Sequence, residues 1–142
     1  EDMAVVSGLW DLAVEYGIRA LMSGAVAQRL PKELAPDGTG SPRDGSRFLG
    51  SAETKKDGCA LEVYELSAGW DETQYRLKDE TRELFSLGIS KLSSGQVRES
   101  RECFAGILRK NGKDMAARRY FDICDEILTG ERKPEDACFG RI

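Results

Sequence analysis

RFLGSAETKKDGCALEVYEL, residues 47–66, is the stretch on which the fold turns. Phe48, Leu49 and Gly50 read as an apolar turn at its start, and Lys55-Lys56-Asp57-Gly58 is built to reverse the chain. Asp-Gly between two extended runs is a strong local hairpin signal, because Gly accepts the positive φ of a tight reversal. Leu61-Glu62-Val63-Tyr64-Glu65-Leu66 then alternates apolar with acidic residues, the pattern of a half-buried strand. Upstream of the hairpin the chain reads as mixed helix and strand, and downstream it reads as helix. The hairpin is the seam between two halves, 1–66 and 67–142.

Composition sets the outer bounds. The 142 residues are 40% hydrophobic and 32% charged, enough for one compact domain or two small subdomains sharing a core. No run of about 20 apolar residues is present, so no segment is expected to insert in a membrane. The chain begins at Glu1 with no charged-then-apolar leader pattern, which reads as a piece of something longer. A net charge of -4 argues against a general nucleic-acid binder. Residues 91–119 run the other way, with eight Lys/Arg against Glu99, Glu102 and Asp114. The plain reading of that run is a solvated helix face; the sharper one is a docking patch for an acidic partner, carried by Arg98, Arg101, Arg118 and Arg119.

Cys59, Cys103, Cys124 and Cys138 form no CxxC pair, and with no His in the chain the usual zinc arrangements cannot be assembled. Cys103 and Cys124 fall on apolar helix faces, where a free Cys acts as a small hydrophobe. The expected context is reducing and cytoplasmic.

In the first half, Leu9, Leu12, Ala13 and Tyr16 recur at helical spacing, and Gly17 stops that helix. Ile18 to Met22 suits a strand. Ser23 then caps a second helix, Gly24 to Leu30, which Pro31 closes. Residues 31–46 hold three Pro and three Gly without periodicity and are expected to form a flexible loop.

Taken together these pieces resemble the C-terminal part of the class III adenylate/guanylate cyclase catalytic domain. The pieces that carry the resemblance are the helix ending in Tyr16-Gly17, the strand Ile18–Met22, Ser23 with its short helix, Phe48–Gly50, the lysine-bearing turn Lys55–Gly58 and the strand ending in Tyr64-Glu65-Leu66. The resemblance implies a partial ferredoxin-like α/β subdomain and head-to-tail association, hence a possible homodimer. It also implies a departure. Aligned on Tyr16-Gly17, the family's transition-state Asn and Arg fall at Ala4 and Gly8, whose side chains cannot donate a hydrogen bond to developing charge. The family's metal-binding aspartates have no counterpart here, so no Mg²⁺ would be held against a triphosphate. Trp10 stands where the family places an acidic residue, which implies a packed rather than a polar setting.

In the second half, Trp70-Asp71-Glu72-Thr73-Gln74 opens a helix with Asp71 as N-cap, running to about Leu92 with Leu77, Leu84, Phe85, Gly88, Ile89 and Leu92 on its apolar face. Ser93-Ser94-Gly95 breaks it. A second helix, Gln96 to Lys110, aligns Val97, Ser100, Cys103, Phe104, Ile107 and Leu108. Asp114 caps a third with Ala116, Tyr120, Ile123, Cys124, Ile127 and Leu128 in register, and Gly130 ends it. These helices resemble a tetratricopeptide repeat, with Gly88 at its helix-packing glycine and Phe104 at its second-helix aromatic. Ser100 stands where the repeat prefers Ala, and Gly112 where it prefers Pro. One repeat with a following helix does not bury a continuous core, so the hairpin half is expected to cover its end.

No phosphate cradle is expected in residues 38–50, which contain neither GxxxxGK nor a GxGxxG opening a helix. Asp79-Glu80 and Glu62/Glu65 read as surface charge. Trp10 and Trp70 read as core or interface residues rather than ligand platforms. The expectation is an α+β chain, a cyclase-like subdomain packed on a three-helix tetratricopeptide-like segment. It would be a non-catalytic regulatory or protein-interaction module of a larger cyclase-like signalling protein, without cofactor, metal or nucleic acid. The alternative is the C-terminal fragment of a functional cyclase whose metal site lies upstream.

Overall fold

A computed structural model of the chain describes residues 10–11, 13–14, 21–23, 46–53, 60–66, 70–138 and 140–141, and it is an α+β fold. It divides into two compact units, Glu1–Trp70 with Cys138–Ile142, and Asp71–Ala137.

The first unit is built on a sheet of β1 (Leu21–Ser23), β2 (Ser46–Glu53), β3 (Ala60–Leu66) and β4 (Gly140–Arg141), in the order β1-β3-β2-β4. β2 and β3 are the expected hairpin, antiparallel from Ser46 opposite Leu66 to Glu53 opposite Ala60. The reversing residues Lys55–Gly58 lie outside the described residues. Phe48–Gly50 is not a turn, contrary to expectation. It lies inside β2, where the ladder shifts register between Phe48 and Gly50. Gly50 takes φ 103°, and this freedom absorbs an extra residue as a bulge, so the strand bends instead of ending. Leu49, Ala52 and Val63 are fully buried beside the bulge.

Ser23 pairs with Val63 as the last residue of β1, one position past the expected strand end at Met22, with the extended backbone that a helix N-cap also has. The helix 24–30, the loop through residue 45, Ala4 and Gly8 lie outside the described residues. Trp10, Asp11, Ala13 and Val14 carry the helical backbone expected of the first helix. A further difference lies near the C-terminus. Gly140 and Arg141 are not helical; they pair in parallel with Ala52 and Glu53. Two residues show no periodicity of their own, and they gain backbone partners at the edge of β2.

The second unit holds α1 (Glu72–Glu80), α2 (Arg82–Ser93), α3 (Val97–Lys110) and α4 (Met115–Leu128). Asp71 caps α1 as expected, its Oδ1 accepting from the Gln74 amide at 2.8 Å. The single helix expected from Asp71 to Leu92 is two, because Thr81 leaves helical geometry at φ -99°, ψ 5°. Its hydroxyl donates back to the Leu77 carbonyl at 2.9 Å. A β-branched residue that turns its side chain onto its own backbone bends or stops a helix. α2 ends in a Schellman turn: Gln96 N–H bonds Lys91 O at 2.9 Å, Gly95 N–H bonds Leu92 O at 3.1 Å, and Gly95 takes φ 81°. Asp114 caps α4, accepting from the Ala117 amide at 3.2 Å.

α2, α3 and α4 run antiparallel in succession. Phe85 meets Phe104 while Gly88 meets Ser100; likewise Phe104 meets Tyr120 while Ser100 meets Cys124. The core is the aromatic triangle of Phe85, Phe104 and Tyr120. Phe104 stands edge-on to Phe85 at 5.3 Å and stacks on Tyr120 at 5.0 Å. Ile107, Ile123, Ala116 and Ala117 complete it, all buried.

Candidate interaction surface

α3 and α4 carry the four arginines singled out in the sequence, and the fold places them in two pairs. Ser100 faces Cys124 and Phe104 faces Tyr120, so Arg98 and Arg101 lie beside the C-terminal half of α4. Arg118 and Arg119 stand near its start, about 10 Å further along at 1.5 Å per residue. Arg98 and Arg118 are exposed, Arg119 half-buried. Arg101 is committed within the unit: its Nε donates to Asp125 Oδ1 at 2.6 Å and its guanidinium lies 4.5 Å over the Phe121 ring. The hydrogen bond to Asp125 holds Arg101 further into its charged range. The pairing with Asp125 spans 24 positions, a distance at which helix periodicity shows the facing sides but not the individual partners.

Glu65 is not surface charge. It is buried, and its Oε2 accepts from Arg47 Nη2 at 2.7 Å across the β2–β3 pair, with Arg47 equally buried. Trp70 Nε1–H donates to the other carboxylate oxygen at 3.1 Å, and the Arg47 guanidinium lies 5.8 Å from the indole centre. Strand alternation sets Glu65 on the same face as the buried Val63 and opposite to Glu62, and the buried guanidinium directly across the ladder compensates its charge there. Glu62, by contrast, is exposed. Trp70 is thus tied to the sheet, in keeping with a packed role. Trp10 is 70% exposed, so it is not a core residue of this chain, and of the two roles expected for it the interface one is left.

Inside the helical unit a second polar element crosses three helices. The Cys124 thiol donates to Ser100 Oγ at 3.5 Å, and Ser100 donates to the Gly88 carbonyl at 2.7 Å. Ser100 therefore satisfies a buried carbonyl that Ala would leave to others. Gln74 and Asn111 exchange two amide hydrogen bonds, at 3.2 and 2.9 Å. Burial pushes the Cys124 and Cys103 thiols up. A thiol raised in the fold binds its proton more tightly than in the unfolded chain, so its contribution is complete below the unfolded value and fades as pH rises. Stability should accordingly fall above the ordinary thiol value of 9.0. Urea melts at about pH 8 and about pH 10, on either side of the thiol range, check this. A Cys124→Ala protein should lose less between the two than the parent. Equal losses would show that other groups carry the alkaline slope.

Among the described residues no cluster of His, Cys, Asp or Glu could hold a metal ion. Among them, too, no helix is long and apolar enough to cross a membrane. No family model, curated protein or solved structure matches the chain.

Proposed function

We propose that this chain is a non-catalytic regulatory or protein-interaction module of a larger cyclase-like signalling protein, and that it docks an acidic protein partner through cations on α3 and α4. The observation that carries the reading is the exposed charge of Arg98 and Arg118 on adjacent helices, neither in an ion pair among the described residues. Exposed, unneutralised cations on a rigid helical pair steer an anionic partner and set its orientation more than they stabilise the fold. The resemblance to a degenerate cyclase, with Ala4 and Gly8 at the family's charge-stabilising positions, supports a regulatory role over a chemical one.

Calorimetric titration with ATP or GTP in the presence of Mg²⁺ tests the non-catalytic half of the proposal. The expected result is no binding tighter than about 100 μM, roughly -5.5 kcal/mol. Tighter binding would favour the alternative, a fragment of a working cyclase.

A further inference from the structure

Four exposed cations lie where α3 gives way to α4. Arg109 and Lys110 close the last turn of α3, Lys113 lies in the connecting turn, and Arg118 is in the first turn of α4. All four are exposed, and none makes an ion pair among the described residues. The acid between them, Asp114, is buried, and its carboxylate accepts the Ala117 amide. It neutralises none of them at the surface.

Helix stability accounts for half of this arrangement. Arg109 and Lys110 complement the negative end of the α3 dipole. Lys113 and Arg118 do the opposite. They flank the positive end of α4, whose first turn contains no acid, so their charge opposes the dipole. Two cations placed against the local field lower the stability of the free protein, and an anionic ligand would offset that loss. Met115, at the first position of α4 and between Lys113 and Arg118 in the chain, is 42% exposed. A polarisable, flexible thioether flanked along the chain by cations suits an apolar anchor carried on an acidic chain.

We propose that the α3–α4 turn, with the exposed Arg109, Lys110, Lys113, Arg118 and Met115, docks an acidic peptide segment bearing an apolar side chain. This rests on the interaction reading above and narrows it to one end of the helical pair. The exposed Met115 favours a peptide over a bare phosphate, and Asp114 already occupies the helix N-terminus where a phosphate would sit. The chain's net charge of -4 disfavours an extended polyanion such as nucleic acid.

Fluorescence anisotropy on the full chain decides the matter, with a labelled Glu/Leu peptide as probe. Its Gln/Leu counterpart, an oligonucleotide and inorganic phosphate serve as competitors. The Glu/Leu peptide should bind, more weakly as salt rises, and Lys113→Glu with Arg118→Glu should weaken it about tenfold or more. Arg76→Glu on α1 should leave binding unchanged. The same two reversals should raise the melting temperature of the free protein by about 1–4 °C, since they now complement α4. A lower melting temperature would show that these cations are structural and overturn the inference. Competition by oligonucleotide or phosphate ahead of the peptide would overturn it as well. If Arg98→Glu abolishes binding while the turn reversals do not, the partner sits elsewhere and only the broader reading survives. No binding of the acidic peptide at all would defeat both.

Discussion

Gly88→Leu lowers the melting temperature of the protein substantially, and Gly88→Ala does not raise it. At an exposed helical site alanine would stabilise, since Gly weakens a helix interior by up to about 1 kcal/mol relative to Ala. Gly88 is not such a site. A Cβ there would stand 2.7 Å from Cζ of Phe104 and 2.8 Å from Cε2, inside any normal contact distance. The ring cannot swing aside, being fully buried, edge-on to Phe85 and stacked on Tyr120. α2 and α3 must therefore separate, which also stretches the 2.7 Å bond from Ser100 to the Gly88 carbonyl. Overpacking typically costs about 1–3 kcal/mol, and a leucine belongs at the upper end. Phe104→Ala removes the ring and should cost about 3–5 kcal/mol by leaving a cavity. The two effects are coupled: in a Phe104→Ala background, Gly88→Leu should cost much less, because its side chain enters the vacated space. Thermal melts of the three variants and the double variant report all of this. A Gly88→Leu protein that melts above the parent would remove the close helix packing on which the helical unit depends.

The helical half was legible because its signals are local. Asp71 and Asp114 cap where their spacing placed them, and Gly95 and Gly130 stop helices with positive φ. What escaped is what needs a partner far along the chain, or a side chain that competes with its own backbone. Thr81 looks like any residue of a helix until its hydroxyl bonds the Leu77 carbonyl. Gly140 and Arg141 become a strand only because the edge of β2 is there to receive them. Of the surface, the excess of cations was plain in the sequence, whereas their division was not. Arg101 is engaged by Asp125, Arg98 is exposed at the start of α3, and Arg109, Lys110, Lys113 and Arg118 are exposed about the α3–α4 turn. The buried Arg47–Glu65 pair was hidden by the bulge at Gly50, since counting back evenly from the Asp57-Gly58 reversal misses the shift that sets these two residues opposite one another.

That pair carries the other large expected effect. Arg47 and Glu65 are 1% and 3% exposed and meet at 2.7 Å. Removing one member leaves a charge in a poorly solvating interior, so Arg47→Met or Glu65→Leu alone should cost about 3–5 kcal/mol. Glu65→Leu also takes the acceptor from the Trp70 indole, and its loss should show as a shift in tryptophan emission. Replacing both residues, Arg47→Met with Glu65→Leu, should recover most of the stability or exceed the parent, because two apolar side chains avoid the desolvation that the ions incur. A double-mutant cycle by chemical denaturation measures the coupling directly. A single variant costing under about 1 kcal/mol would mean that the pair behaves as a solvent-exposed one, and would refute this account. If an apolar pair is as stable, the charges serve register. β2 contains a bulge at Gly50, and a one-residue slip of a strand exchanges its two faces. With Arg47 opposite Glu65 such a slip would pull the buried ions away from each other, while with Met opposite Leu it would cost little. The double variant should therefore match the parent in stability yet show a second set of backbone amide signals for Ser46–Phe48. A single set would mean that the bulge alone fixes the pairing.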